Sequence, residues 1–246
     1  TGPYYQDFTV NADPNDSVLD ALIRIREYVD GSLAVRCSCR SAICGSCAVR
    51  INGRGGLACN TKISDATSRN PVIQVEPVGN ATAIKDLVVD SKPFWDRIIS
   101  VTPWLKPEGE APESEHLVSN ADMVALNQVM GCIMCGACVS DCTVLEVDPN
   151  FLGPAALAKA YRFVGDPRDD ADKKRLGKLS QYTGVWDCTR CYECVQVCPK
   201  GVAPMDRIMA LRDRAIVAGY DNTYGARHTE AFSNLVEHSG KLDELR

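Results

Sequence analysis

Two runs of the sequence, Cys132-Ile-Met-Cys135-Gly-Ala-Cys138-Val-Ser-Asp-Cys142 and Cys188-Thr-Arg-Cys191-Tyr-Glu-Cys194-Val-Gln-Val-Cys198-Pro199, share the pattern C-x2-C-x2-C-x3-C, and a proline closes the second. Three thiolates this close together grip one iron–sulfur cube, while the fourth, a helical turn further on, reaches across to a second, so the two runs form one unit. C-x2-C pairs also build tetrahedral zinc sites. A four-cysteine run that repeats and ends in proline favours iron and sulfide, and a visible spectrum separates the two.

A second constellation lies upstream: Cys39-x4-Cys44-x2-Cys47, then Cys59 after eleven more residues. Three thiolates on one loop and a fourth from a separate segment is the plant-type spacing for a [2Fe-2S] cluster. Gly45 and Ser46 suit a tight loop whose backbone N–H groups can point at sulfur. Of the thirteen cysteines, Cys37 is left over, and it reads as a partly buried free thiol.

The rest of the composition narrows the function. The 246 residues allow about two domains, 45% of them hydrophobic and 24% charged. A net charge of −5 argues against nucleic acid, whose partners carry a basic excess. The odd cysteine count and the lack of a signal-peptide pattern favour metal-bound thiolates in a reducing compartment over disulfides. No stretch approaches the ~20 apolar residues that span a bilayer. His116, His228 and His238 lie outside every cysteine run, Trp95, Trp104 and Trp186 read as packing residues, and Lys173 to Arg175 read as a solvated helix face.

Elements must position these cysteines. Phe8 to Val10 alternates like a strand, and Ser17 with Asp20 forms a capping box for a helix with Val18, Leu19, Leu22, Ile23, Ile25 and Val29 on its face. Ala48 to Ile51 and Pro71 to Val75 read as strands, and Ile84 to Asp90 leads out of this half. Residues 101–119 are a Pro- and Glu-rich connector. Beyond it Asn120 caps a helix ending at Gly131, Pro154 opens one that Gly165 and Pro167 end, and Pro204 opens one running to about Ala218. Pattern alone gives an α+β first half and a helical second half.

The order of motifs resembles the iron–sulfur subunit of succinate dehydrogenase and fumarate reductase, the complex II family. The resemblance covers nearly the whole chain. Beside the cysteines it is carried by Ile84-Lys-Asp-Leu-Val-Val-Asp90, Gly153-Pro154-Ala155 and Ala160-Tyr-Arg-Phe-Val-Gly-Asp-Pro-Arg-Asp169. It implies a plant-type ferredoxin-like β-grasp domain over residues 1–100, the connector 101–119, and an all-α, bacterial two-cluster ferredoxin-like domain over 120–246.

It also implies a partner flavoprotein that oxidises succinate on FAD in the tricarboxylic acid cycle, with a fumarate reductase or another flavin-linked reductase as the alternative. A membrane anchor with quinone would hold the assembly peripherally on the cytoplasmic or matrix face of the respiratory membrane. By carry-over Cys39, Cys44, Cys47 and Cys59 hold [2Fe-2S], Cys132, Cys135, Cys138 and Cys198 hold [4Fe-4S], and Cys142, Cys188 and Cys194 hold the third cluster.

The chain departs from the family twice. The family's third cluster is a three-cysteine [3Fe-4S] with an aliphatic residue where this chain has Cys191; as a fourth ligand, spaced like Cys135, Cys191 predicts [4Fe-4S] instead. The family also has Pro and two Trp soon after the cysteine matching Cys142, where this chain has Thr143 to Val147. Quinone contacts are therefore expected mainly from the anchor, or a further redox centre takes the electron there.

Overall fold

The computed structural model describes residues 4–110 and 112–242. The outer ends of the ranges 1–100 and 120–246, and residue 111 of the connector, lie outside the described residues.

The first helix, α1 (Val18–Tyr28), begins where the sequence expects. Ser17 Oγ accepts the Asp20 N–H at 3.2 Å while the Asp20 carboxylate accepts the Ser17 N–H at 2.9 Å, a reciprocal cap of a kind whose loss costs ~1 kcal/mol. Val18, Leu19, Leu22, Ile23 and Ile25 are buried. Val29 is instead exposed, as the C-terminal cap where the helix ends.

Strands β1 (Ala48–Ile51) and β2 (Arg54–Leu57) form an antiparallel hairpin that pairs Ala48 with Leu57 and Ile51 with Arg54. A 3-10 turn over Ala58–Asn60 and a single turn, α2 (Ile63–Ala66), follow. Strand β3 (Val75–Glu76) completes the sheet on the other side of β1, giving the order β2-β1-β3. Of the expected strand 71–75 only Val75 is in the ladder, which extends instead to Glu76, while Pro71 and Val72 stay exposed and outside it.

Residues 8–10 are not a strand: Phe8 and Val10 pack on the core with no ladder partner, so their alternation reflects burial alone. Ile84 to Asp90 is more ordered than expected, with β4 (Ala83–Lys85) pairing to β5 (Val88–Val89). Val18, Leu19, Leu22, Val49, Ile51 and Leu57 form the core of this mixed α/β half.

Helix α3 (Lys92–Ser100) leads to a second, helical core. Ile98, within the stretch expected to belong to the first domain, packs in that core with Val101. The connector is tied down by Arg175, whose buried guanidinium pairs with Asp169 at 2.7 Å and donates to the carbonyls of Val101, Thr102 and Trp104. Arg175 is thus no part of a solvated basic face. Its charge is buried because a carboxylate and three carbonyls replace water.

Helix α4 (Asn120–Met130) is capped by Ser119, one residue earlier than expected, because the Ser119 hydroxyl reaches the Asp122 N–H at 3.1 Å. Its buried residues are Leu126 and Val129, whereas Val124 is exposed. The short helices α5 (Ala137–Ser140) and α6 (Thr143–Val147) surround Cys142. Helix α7 (Gly153–Val164), buried along almost its whole length, is the central element and packs most extensively on α10 (Pro204–Val217), after α8 (Asp172–Leu179) and the turn α9 (Glu193–Gln196). Helix α11 (Tyr224–Ser239) is the last element among the described residues.

Of the three tryptophans, Trp95 and Trp104 are about half exposed and only Trp186 is mostly buried, beneath Arg212. Among the described residues no helix is long and apolar enough to cross a membrane.

Candidate iron–sulfur centres

The loop after α1 wraps around sulfur. Cys39 Sγ accepts N–H groups from Ser41 (3.3 Å), Ile43 (3.4 Å) and Cys44 (3.3 Å), and Cys59 Sγ accepts the Ala42 N–H at 3.3 Å. Left-handed backbone at Arg40, Ala42 and Gly45 turns these donors inward. Cys59 reaches the loop because the Ala58 N–H bonds to the Cys47 carbonyl at 3.1 Å. The four cysteines predicted for [2Fe-2S] are therefore brought together. Their donor set suits the cluster, since amides aimed at sulfur stabilise negative charge there.

The remaining predicted ligands divide between two cavities. Cys132, Cys135, Cys138 and Cys198 line one, with Ala155, Ala158 and Pro204. Cys142, Cys188, Cys191 and Cys194 line the other, with Phe151, Pro154 and Ile208. Each cavity takes three cysteines from one run and the last cysteine of the other run, the crossed arrangement that the spacing implies. Four sulfur-bearing side chains around an apolar-walled cavity fit a cubane.

The two runs also share a backbone. Met134 and Arg190 have φ of 56° and 59°, and Gly136 and Tyr192 have φ of 81° and 72°. Cys135 and Cys191 thus occupy equivalent points of equivalent loops, each followed by a single helical turn, α5 or α9. Tyr192 adopts a left-handed conformation that costs a non-glycine residue ~1–2 kcal/mol.

Charge must be offset in these sites. Burial pushes the Cys47 thiol up to about 12, and burial with the neighbouring Cys188 does the same to Cys194; burial also raises Cys138 well above its ordinary value. Burial also raises Cys135, Cys142 and Cys188. Exposed Cys44 is lowered to about 6 by the Ser46 hydroxyl, 3.0 Å from its sulfur, and by hydrogen bonding to Cys39. Iron held by the buried cysteines would take the place of their protons and supply the countercharge the apolar walls withhold.

The halves meet where the centres meet. A Cβ added to Gly45 would lie 2.8 Å from Cys135 Cβ and 3.0 Å from the Ile133 carbonyl, so the [2Fe-2S] loop rests directly on the first cubane loop. The Gly55 N–H donates to Asp141 at 2.8 Å, and Arg54 bonds Gln196 at 2.8 Å. Arg212 donates to the carbonyls of Val185, Trp186 and Cys188, fixing the entrance to the second run. Sequence reasoning missed Asp141 and Arg212, although Arg212 interrupting an apolar helix face was a visible signal. Cys37 is a half-buried free thiol against the first core, and the three histidines are exposed.

These features define an iron–sulfur protein with a plant-type centre in one half and a paired centre in the other. Residues 1–96 match the 2Fe-2S iron-sulfur cluster binding domain, and residues 128–202 match the 4Fe-4S dicluster domain. A fumarate reductase iron-sulfur subunit of Mycobacterium tuberculosis is 41% identical over 85% of this chain and 84% of its own length. A mitochondrial succinate dehydrogenase iron-sulfur subunit of Oryza sativa is 38% identical over 86% and 76%. Among solved structures, a chain of the Mycobacterium smegmatis Sdh1 complex in the apo form superposes with a TM-score of 0.80 at 26% identity, covering 88% of this chain and 91% of that one. The chain belongs to the family of succinate dehydrogenase and fumarate reductase iron–sulfur subunits, and its role is electron transfer.

Proposed function

We propose that the chain is the electron-transfer subunit of a succinate dehydrogenase, carrying electrons from the FAD of a flavoprotein partner to quinone at a membrane anchor. Cys39, Cys44, Cys47 and Cys59 hold [2Fe-2S]; Cys132, Cys135, Cys138 and Cys198 hold [4Fe-4S]. Cys142, Cys188, Cys191 and Cys194 hold a third cluster, itself [4Fe-4S]. The observation that carries the third assignment is the repeated backbone of the two runs, which puts Cys191 where Cys135 stands.

The halves are a β-grasp unit and a two-cluster ferredoxin-like unit that meet around residues 92–100, with 101–119 as the connector. When bound, the clusters supply three one-electron carriers in series. The chain does the rest. Gly45 lets the first loop close on Cys135, the segment from Cys138 to Cys142 spans both cavities, and buried walls exclude water. The exposed Ile43–Cys44 edge beside the first centre suits docking of the flavoprotein, and the surface near the third centre, with exposed Val147, Tyr182 and Tyr192, suits the anchor. Because Thr143 to Val147 offers no tryptophan, quinone contacts come mainly from the anchor or a further redox centre receives the electron there.

The native complex, poised at controlled potentials, tests this. Succinate should reduce those clusters whose midpoints lie near or above that of the succinate/fumarate couple, and the midpoint of the native quinone should lie above that couple. A colourless chain without acid-labile sulfide would leave a structural zinc protein instead. Fumarate reduction is the second reading, favoured by the fumarate reductase name of the 41% identical relative; a native quinone whose midpoint lies below that of the succinate/fumarate couple would select it.

A further inference from the structure

The loop after β3 sends one side chain across to the helical half. The Asn80 amide nitrogen lies 2.8 Å from the Val139 carbonyl, 3.3 Å from that of Ser140 and 3.0 Å from that of Cys142. Beside it the Gly79 N–H donates to the Ser140 hydroxyl at 2.9 Å, and Ser140 is buried. Asn80 has φ of 56°, a left-handed conformation that asparagine tolerates better than most residues. These carbonyls close the turn of α5 and the step into Cys142; that of Val139 also accepts the Cys142 N–H at 3.3 Å, and the Asn80 amide supplies a further donor where a helix end leaves acceptor capacity open. The same five residues run from Cys138 on the first cavity to Cys142 on the second.

We infer that Asn80 is a positioning residue for the third centre: from the other half of the chain it fixes the Cys138–Cys142 segment and sets the potential of the cluster bound through Cys142. This rests on the proposed ligation of that cluster by Cys142. The amide presents the positive end of its dipole to a carbonyl of a ligand residue, in a region of low dielectric where such dipoles act strongly. Without it, the Cys142 carbonyl dipole is uncompensated, and added negative charge on the cluster is less favourable. The potential falls.

The test is a redox titration of the cluster-loaded protein, followed by electron paramagnetic resonance, in Asn80→Gly, Asn80→Asp and Ser140→Ala. Asn80→Gly keeps the left-handed backbone and removes only the amide. Asn80→Asp replaces the donor with an acceptor, and Ser140→Ala breaks the neighbouring contact alone. The third-cluster midpoint should fall in Asn80→Gly and fall further in Asn80→Asp, with the [2Fe-2S] midpoint unchanged and little effect in Ser140→Ala.

An unchanged third-cluster midpoint in Asn80→Gly overturns the inference. So does an equal shift in Ser140→Ala, or loss of all clusters in Asn80→Gly, since the contact would then hold the interface and not the centre. Failure of the underlying assignment is distinct: Cys142→Ser would then leave the third signal of the otherwise normal protein intact.

Discussion

Gly45→Ala tests whether the two halves meet as tightly as the structure requires. Gly45 has φ of 74°, and left-handed backbone costs an alanine ~1–2 kcal/mol. The new Cβ would stand 2.8 Å from Cys135 Cβ and 2.9 Å from its Cα. Carbon atoms rest at ~3.5–4.0 Å, so the cubane loop must retreat by roughly 0.7–1.2 Å. Overpacking of this kind costs ~1–3 kcal/mol, giving ~2–5 kcal/mol in all. Gly53→Ala is the control, because Gly53 has φ of 81° but nothing within 4 Å of an added Cβ, so only the backbone penalty applies. Anaerobic denaturation of both variants, with spectra of the bound clusters, measures the difference. Gly45→Ala should lose more stability than Gly53→Ala and perturb the cluster held by Cys135. Equal losses and unaltered spectra would refute the contact.

Three further outcomes follow from the same structure. Tyr192→Gly relieves a left-handed residue on the exposed cluster loop, so it should keep the third cluster and leave stability within ~1 kcal/mol of the parent; loss of that cluster alone would give the tyrosine a ligand-supporting role. Arg168 and Arg162 hold the buried Asp166 carboxyl well below its usual range, and Asp166→Asn should cost ~3–5 kcal/mol at neutral pH. Because the folded state binds this proton more weakly than the unfolded state, the stabilisation is complete above the unfolded value of ~3.9 and is lost as pH falls through the lower folded value. Thermal unfolding of parent and variant should therefore converge in acid, and a constant gap would contradict the assignment. Finally, stripping the clusters anaerobically should abolish cooperative unfolding, since the cubanes fill cavities between helices; an apo-chain melting like the loaded one would disprove this.

The chemistry was legible in the sequence because ligand spacing is a local property. C-x2-C-x2-C-x3-C dictates a loop and then one helical turn, and both runs form that unit, down to the crossed division of cysteines between cavities. Helices α1, α7 and α10 were legible for a similar reason, since caps and proline positions act within a few residues. What was missed depends on distant partners. The β4–β5 hairpin offers little apolar alternation, Arg175 is buried by a carboxylate and by carbonyls of the connector far away in sequence, and Val29 shares the apolar pattern of α1 yet falls at its end. Nor could spacing show that Gly45 is needed for the approach of Cys135 as well as for its own turn. Tyr192 hides its left-handed backbone behind an ordinary residue type, where Gly136 displays it.

The central claim, a three-centre wire ending in a four-cysteine cubane, is tested most directly by Mössbauer and electron paramagnetic resonance spectroscopy of the complex isolated without oxygen. About ten irons per chain are expected, given the cluster types assigned, with no [3Fe-4S] signal from the oxidised protein until Cys191 is replaced by valine. About nine irons, with a strong [3Fe-4S] signal that Cys191→Val leaves unchanged, would contradict it.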